Sequence, residues 1–407
     1  MSWREITLGS AIHVKHGYAF KGELFSDSGN YIVLTPGNFN EGGGFRIRPE
    51  KDRAYMGDIP ESFVLDEGDL IVAMTEQGPG LLGSSALIPQ AARYLHNQRL
   101  GLVDQIDPAL LEKRFLYFLF NTRAVRGQIS GSASGTKVRH TAPERIYRVC
   151  VRVPDVRTQG KIADILSAYD DLIENNRRRM ELLEEAARQL YREWFVRLRF
   201  PGREHTRIIN GVPEGWERRR IGDIADCIGG TPSTSVPAYW EDGDIMWVTP
   251  TDVTRNKHLV LLDSEKKITE EGLQNSSAKL VPPHAVLMTS RASVGFFAVA
   301  GREVCTNQGF ISIVPHDVTL GPYLLFHLSE RVEEIRAMGS GSTYPEVSRG
   351  KFRDFEVLAP TMTLVSLFVE QVDVLLRQIR VLKQQTQKLR AARDLLLPRL
   401  MSGQITV

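Results

Sequence analysis

Ile162-Ala163-Asp164-Ile165-Leu166-Ser167-Ala168-Tyr169-Asp170-Asp171-Leu172-Ile173-Glu174-Asn175-Asn176 opens a stretch in which one stripe of residues returns at alternating steps of four and three. The stripe runs through Ile162, Leu166, Tyr169, Ile173, Asn176, Met180, Leu183, Ala187, Leu190 and Trp194, and that spacing is a coiled-coil seam. After Pro360 it recurs in the same phase as Phe368, Val372, Leu375, Ile379, Leu382, Thr386, Leu389, Arg393, Leu396 and Leu400. Two matched seams in one chain predict that two helices pair. A helix of about 40 residues is roughly 60 Å long, enough to hold two domains apart. A whole domain separates the seams in sequence and provides a return path, so the pairing is expected to be antiparallel. Asn176 admits two readings. It faces Thr386 and fixes the register at some cost in stability, or it points to solvent at the seam edge.

Outward from the seams, the chain repeats itself once. Trp3-Arg4-Glu5 returns as Trp216-Glu217-Arg218, and Val33-Leu34-Thr35-Pro36 as Trp247-Val248-Thr249-Pro250. Val72-Ala73-Met74-Thr75 returns as Val286-Leu287-Met288-Thr289, Asn97-Gln98 as Asn307-Gln308, Gly135-Thr136 as Ser342-Thr343, and Val153-Pro154 as Ala359-Pro360. Six collinear pairs mark a duplication. Each half opens with a turn-rich part carrying short β-type runs at 31–34, 69–74 and 309–314 and helical periodicity near 108–128 and 321–337. Each then turns helical at its proline. The expected fold class is α+β: two similar globular α+β domains separated by two long antiparallel helices that form a coiled coil. The expected boundaries are 1–153, 154–200, 201–359 and 360–407.

At 407 residues and 42% hydrophobic composition, the chain can build more than one core. No apolar run is long enough to span a bilayer, and Met1-Ser2-Trp3-Arg4-Glu5 lacks the blocks of a secretory signal, so a cytoplasmic location is expected. Cys150, Cys227 and Cys305 lie far apart and read as buried thiols, not as a zinc site or a disulfide framework. Lys and Arg number 51 against 49 Asp and Glu, so affinity for a polyanion would have to come from local patches or from partners.

Catalytic and metal motifs are missing. Gly131-Ser132-Ala133-Ser134-Gly135-Thr136-Lys137 has the wrong order for a phosphate loop, and no dinucleotide-binding turn, zinc helix or nucleophile elbow is found. The Asn/Asp-Pro-Pro-aromatic signature of amino-methyltransferases is absent too. His13, His16 and His140 read as surface or core residues. Instead, polar loops recur at matching places, made of types that read base edges and hold phosphates. The candidate contacts are Tyr18, Phe20 and Lys21 with Thr231 and Ser233; Thr75 and Gln77 with Thr289, Arg291 and Ser293; and Ser134, Thr136, Lys137 and Arg139 with Ser342, Thr343 and Tyr344. Ordinary turns use the same residue types, so the pairing between halves carries the reading. The runs Arg177-Arg178-Arg179 and Arg218-Arg219-Arg220 fit phosphate contacts or solvated faces. A nuclease or modification enzyme with diffuse motifs, and a scaffold whose coiled coil is its function, stay open as alternatives.

The seam segment 162–176, together with Leu190-Tyr191-Arg192-Glu193-Trp194-Phe195-Val196-Arg197-Leu198-Arg199-Phe200-Pro201-Gly202, resembles the central spacer of the specificity subunits of Type I restriction-modification systems. Gly211-Val212-Pro213-Glu214-Gly215-Trp216 resembles the entry to their second target-recognition domain, and Leu395-Leu396-Leu397-Pro398-Arg399-Leu400-Met401-Ser402-Gly403 their C-terminal close. The resemblance implies a non-catalytic subunit that binds a bipartite site on double-stranded DNA and docks two modification subunits and, through them, restriction subunits. S-adenosylmethionine, ATP and Mg would then act on the partners, with no cofactor and no metal on this chain. One departure is Thr158-Gln159, where the family often has an acidic residue before Gln, and it leaves the details of docking open.

Overall fold

The computed structural model describes residues 3–78, 80–256, 258–340 and 345–407 and divides into two compact units. The first holds residues up to Ile173 together with 388–407, and the second spans Glu174–Gln387. Two long helices, Val156–Tyr191 and Met362–Met401, contribute to both.

In the first unit, Arg4–Thr7 pairs antiparallel with Cys150–Val153, which delivers the chain to the first long helix. Asp155 starts that helix: its carboxylate accepts from the Thr158 backbone N–H (2.9 Å) and hydroxyl (2.8 Å), and these bonds hold its pKa below the usual carboxylate range. A four-stranded sheet has the order Ile12–His16, Leu100–Ile106, Leu70–Ala73, Ser85–Leu87. A five-stranded sheet combines Phe25–Ser26, Ala54–Tyr55, Ile32–Val33, Tyr94–Leu95 and Val64–Leu65. Leu70–Ala73 is apolar throughout because each of its faces meets a different core. Leu70, Val72 and Met74 pack with Phe115 and Leu116 of the helix Lys113–Phe120, while Ile71 and Ala73 pack with Leu34, Phe39 and Leu65.

The second unit repeats this plan. Glu217–Arg220 pairs antiparallel with Glu356–Ala359, and Ala225–Gly229, Phe310–Pro315, Val286–Thr289 and Phe297–Ala300 lie side by side as do the four strands of the first sheet, with Val260–Leu261 added at the edge. Val286 and Met288 enter one core with the helix Leu320–Glu330, and Leu287 enters another. In both units one parallel pair joins the second sheet, Ile32–Val33 with Tyr94–Leu95 and Ile245–Val248 with Val304–Thr306.

The long helices run antiparallel. In the first unit Ile162, Ala163 and Leu166 share a core with Leu396, Leu400 and Met401, and Asp170 pairs with Arg393 at 2.5 Å. In the second unit Met180 and Leu183 meet Ile379 and Leu382, and Ala187, Tyr191 and Trp194 meet Val365, Phe368 and Val372. Every seam residue is buried or half-buried. A π-helical turn, Arg192–Val196, ends the first helix and turns both Trp194 and Phe195 inward.

Two expectations need correction, and one run of arginines fits the second of its two readings. Asn176 is only 6% exposed, so it does not look to solvent. Nor does it bond Thr386, whose hydroxyl donates to Leu382 O of its own helix at 2.8 Å; among the described residues Asn176 has no hydrogen bond to it. Cys150 is exposed rather than buried, because it sits on the outward face of an edge strand. Arg177 and Arg178 are engaged by Glu174 and Glu181 on the same helix, as solvated faces are.

Candidate nucleic-acid interface

The four-stranded sheet of the first unit gathers its loops at one end. Past His16 and Gly17, Tyr18 bridges Asn97, with Tyr18 N donating to His96 O (2.9 Å) and Gln98 N to Tyr18 O (2.9 Å). Met74 N donates to Arg99 O (3.0 Å), Thr141 N to Met74 O (2.9 Å), and Thr75–Glu76 pairs with Arg139–His140. The loops at 17–22, 75–78, 97–99 and 134–140 thus form one rim, which brings the predicted residues of the first half together.

The second unit builds the same rim from other side chains. Thr231 bridges Asn307, Ser290 N donates to Gly309 O (2.8 Å), Val347 N to Ser290 O (2.9 Å), and Arg291 bridges Glu346. Both rims depend on a glycine where the first strand meets the asparagine turn. A methyl group on Gly17 would lie 2.0 Å from Asn97 O, and on Gly230 1.7 Å from Asn307 O, so no side chain fits there.

These hydrogen bonds also correct one sequence pairing. Met74 and Ser290 make the same two bonds, and Thr75 opposite His140 corresponds to Arg291 opposite Glu346. Thr289 is therefore equivalent to Ala73, not to Thr75. A shift of two residues along a strand keeps the same face inward, so the apolar pattern cannot detect it. The other described pairings keep their register, with Val33 at Trp247, Asn97 at Asn307 and Val153 at Ala359.

The predicted residues separate into presenters and supports. Tyr18, Lys21, Gln77, Ser134, Thr136, Lys137, Ser233, Arg291 and Ser293 are exposed. Ser134 accepts from Arg145 at 3.0 Å, and Arg291 lies 3.7 Å from Glu346. Phe20 is a support, packed edge-on against Tyr55 at 4.9 Å. Thr75 is buried with its hydroxyl 3.2 Å from His140 Nδ1. Thr289 is fully buried; its hydroxyl donates to Ser293 O and accepts from Phe296 N at 2.9 Å. Arg139 turns back to Glu76 and to Ser130 O. These three hold the loops instead of reaching outward, because their polar groups are already engaged. Ser342, Thr343 and Tyr344 lie outside the described residues.

The sequence reading missed several members of the rims. Glu76, only 3% exposed, accepts the backbone N–H groups of Gly80, Leu81 and Leu82 at 2.9–3.1 Å and so shapes its loop. Nothing in the residue types of this polar stretch tells a carboxylate folded inward over its own loop from one that faces solvent. Gln98 and Gln308 stand exposed on equivalent turns, and their repetition was the available signal. In the second unit, Gln308, Lys279, Ser290, Glu346 and Arg349 line a cleft of about 310 Å³ whose wall includes Thr231. Among the described residues, the Thr231 hydroxyl buried there has no hydrogen-bond partner. Beneath the first rim, burial lowers the pKa of His96 to about 4, so its ring is neutral at pH 7. Among the described residues no group of three or more His, Cys, Asp or Glu is placed to hold a metal ion, and no helix is long and apolar enough to cross a membrane.

One loop-bearing scaffold is built twice in the chain, and each copy is followed by a long helix. The family model described as the Type I restriction modification DNA specificity domain matches residues 1–185 and again 213–391. The chain belongs to the family of Type I restriction-modification specificity subunits, the proteins that carry DNA target recognition in those systems. It is similar to the MjaIX specificity subunit of Methanocaldococcus jannaschii, 32% identical over 185 residues, a match that spans 43% of each chain and hence less than half of that relative. It is also similar to the HindI specificity subunit of Haemophilus influenzae, 23% identical over 361 residues, covering 73% of this chain and 78% of the other. Among solved structures, the S subunit of a Type I restriction-modification system from M. genitalium shares the fold, with a TM-score of 0.62 at 16% identity over 98% of this chain and 96% of that one.

Proposed function

We propose that the chain recognises a bipartite site on double-stranded DNA, each rim reading one half and the paired helices setting the unspecified gap. The observation that carries this reading is the duplicated rim: the backbone architecture is the same in both units, while the outward side chains differ, with Tyr18, Lys21, Gln77 and Lys137 on one and Ser233, Arg291, Ser293 and Lys279 on the other. A common scaffold bearing different side chains is what two different half-sites require.

In this reading the chain has no catalytic site and binds no cofactor. It works in the cytoplasm and docks two modification subunits and, through them, restriction subunits; those partners use S-adenosylmethionine, ATP and Mg. The test is to map methylated adenines across the host genome with and without the gene. The expected result is one split motif that vanishes with the gene. A genome whose methylation is unchanged overturns the proposal.

A further inference from the structure

Asn97-Gln98 and Asn307-Gln308 are the one Asn-Gln pair that keeps both sequence and register between the two rims. The asparagines are explained by folding. Asn97 Oδ1 accepts from Arg99 N at 3.0 Å and Asn307 Oδ1 from Gly309 N at 2.9 Å, the same side-chain-closed turn in each unit. The glutamines are not explained that way. Both are exposed, and among the described residues neither side-chain amide makes a hydrogen bond within the protein. A residue that recurs at one register on an outward turn, with no intramolecular task, is held ready for a partner.

The turns present these amides rigidly. Each is tied to the neighbouring strand end through the bridge from Tyr18 to Asn97 or from Thr231 to Asn307, and the close approach at the preceding Gly17 and Gly230 leaves the turn no room to shift. In the second unit Gln308 borders the 310 Å³ cleft where the Thr231 hydroxyl is buried and, among the described residues, unpartnered, a polar group awaiting a donor or acceptor from outside. A carboxamide offers one acceptor and one donor side by side, the complement of adenine N7 and N6–H₂ in the major groove, whereas phosphates call for cations or donors alone.

We infer that Gln98 and Gln308 are specificity-determining residues, each reading an adenine at the corresponding position of its half-site. The inference rests on the proposed function above and adds to it a shared base position in two otherwise different half-sites. The test uses the full chain assembled with its modification subunits, the duplex defined by the wild-type methylation motif, and single variants Gln98→Ala, Gln308→Ala and Gln308→Glu. Each alanine variant is expected to relax one A·T position in one half-site only, with discrimination there falling roughly 5- to 150-fold. Gln308→Glu keeps the side-chain size and is expected to move the preference toward cytosine, whose N4 donates to a carboxylate. Thermal unfolding should match wild type, since both side chains are exposed. A wild-type motif split into halves that neither alanine variant alters overturns this inference alone. So does a uniform weakening on every duplex with a reduced salt slope, the mark of a phosphate contact. A wild-type motif that is not split overturns the proposed function and this inference with it.

Discussion

Phe368→Ala tests the helix pairing where it is densest. Phe368 is fully buried on the second long helix, with ring centroids 6.2 Å from Tyr191, 6.0 Å from Trp194, 5.0 Å from Phe195 and 6.2 Å from Phe326. Three of these partners belong to the first long helix or its terminal π-turn, so the ring is one of the contacts that pair the two helices. Truncation removes apolar burial and leaves a cavity between rigid aromatic walls; such changes cost about 3–5 kcal/mol. Taking about 4 kcal/mol, and about 2.5 kcal/mol per molar urea for a unit of this size, the unfolding midpoint should fall by about 1.5 M. Tryptophan emission is the appropriate probe, because Trp194, Trp216, Trp240 and Trp247 lie in the second unit and Trp3 alone in the first. Leu182→Ala is the control: it lies on the first long helix but is 70% exposed, and its loss should stay within about 0.5 kcal/mol. A Phe368→Ala variant that loses less than about 1 kcal/mol, or no more than the control, would refute the packing argument.

Four further outcomes follow from the structure. His327, buried between the hydroxyls of Tyr191 (2.8 Å) and Tyr323 (3.1 Å), has its pKa lowered by burial to about 4. The unfolded chain therefore takes up a proton between pH 6.5 and 4 that the folded one refuses; stability present above pH 6.5 should fall by about 3 kcal/mol across that window, and in urea titrations His327→Gln should flatten the dependence. Thr289→Ala strands the Phe296 N–H and should cost about 1–3 kcal/mol by chemical denaturation, whereas Gln77→Ala should leave stability within about 0.5 kcal/mol. Gly230→Ala must push the Asn307 turn aside, so in methylation mapping it should abolish recognition of one half-site while the other persists. Lys383, whose ammonium donates to Val260 O at 2.6 Å, has a pKa lowered by burial to about 8, so unfolding free energy should rise between pH 8 and 10.5 and the rise should vanish in Lys383→Met.

The long helices could be read from the sequence because a seam of ten positions repeats one physical demand, burial along one stripe, many times over. The strand at Leu70–Ala73 could be located but not aligned. Each face enters a core, so every position is apolar, and a slip of two residues changes nothing that the sequence records. Residue types at the rims were recognisable, but their division of labour was not. Thr75 and Thr289 look like readers in sequence and prove to be struts, because a hydroxyl's role depends on which polar groups the fold brings within hydrogen-bond reach. Glu76 shows the converse: a charged residue in a polar loop that folding turns inward to gather three N–H groups. Asn176 was legible as a polar break in the seam, whereas its burial without a bond to Thr386 depends on helix packing that no spacing encodes.

The division of labour between the two rims is open to one direct measurement. Residues 1–153 are exchanged for the corresponding domain of a relative, and the methylated motif is mapped in a host carrying the chimaera with its modification subunits. The account predicts that one half of the motif changes, while the other half and the gap length stay as in the parent. A chimaera that alters both halves, or that keeps both unchanged, would contradict it.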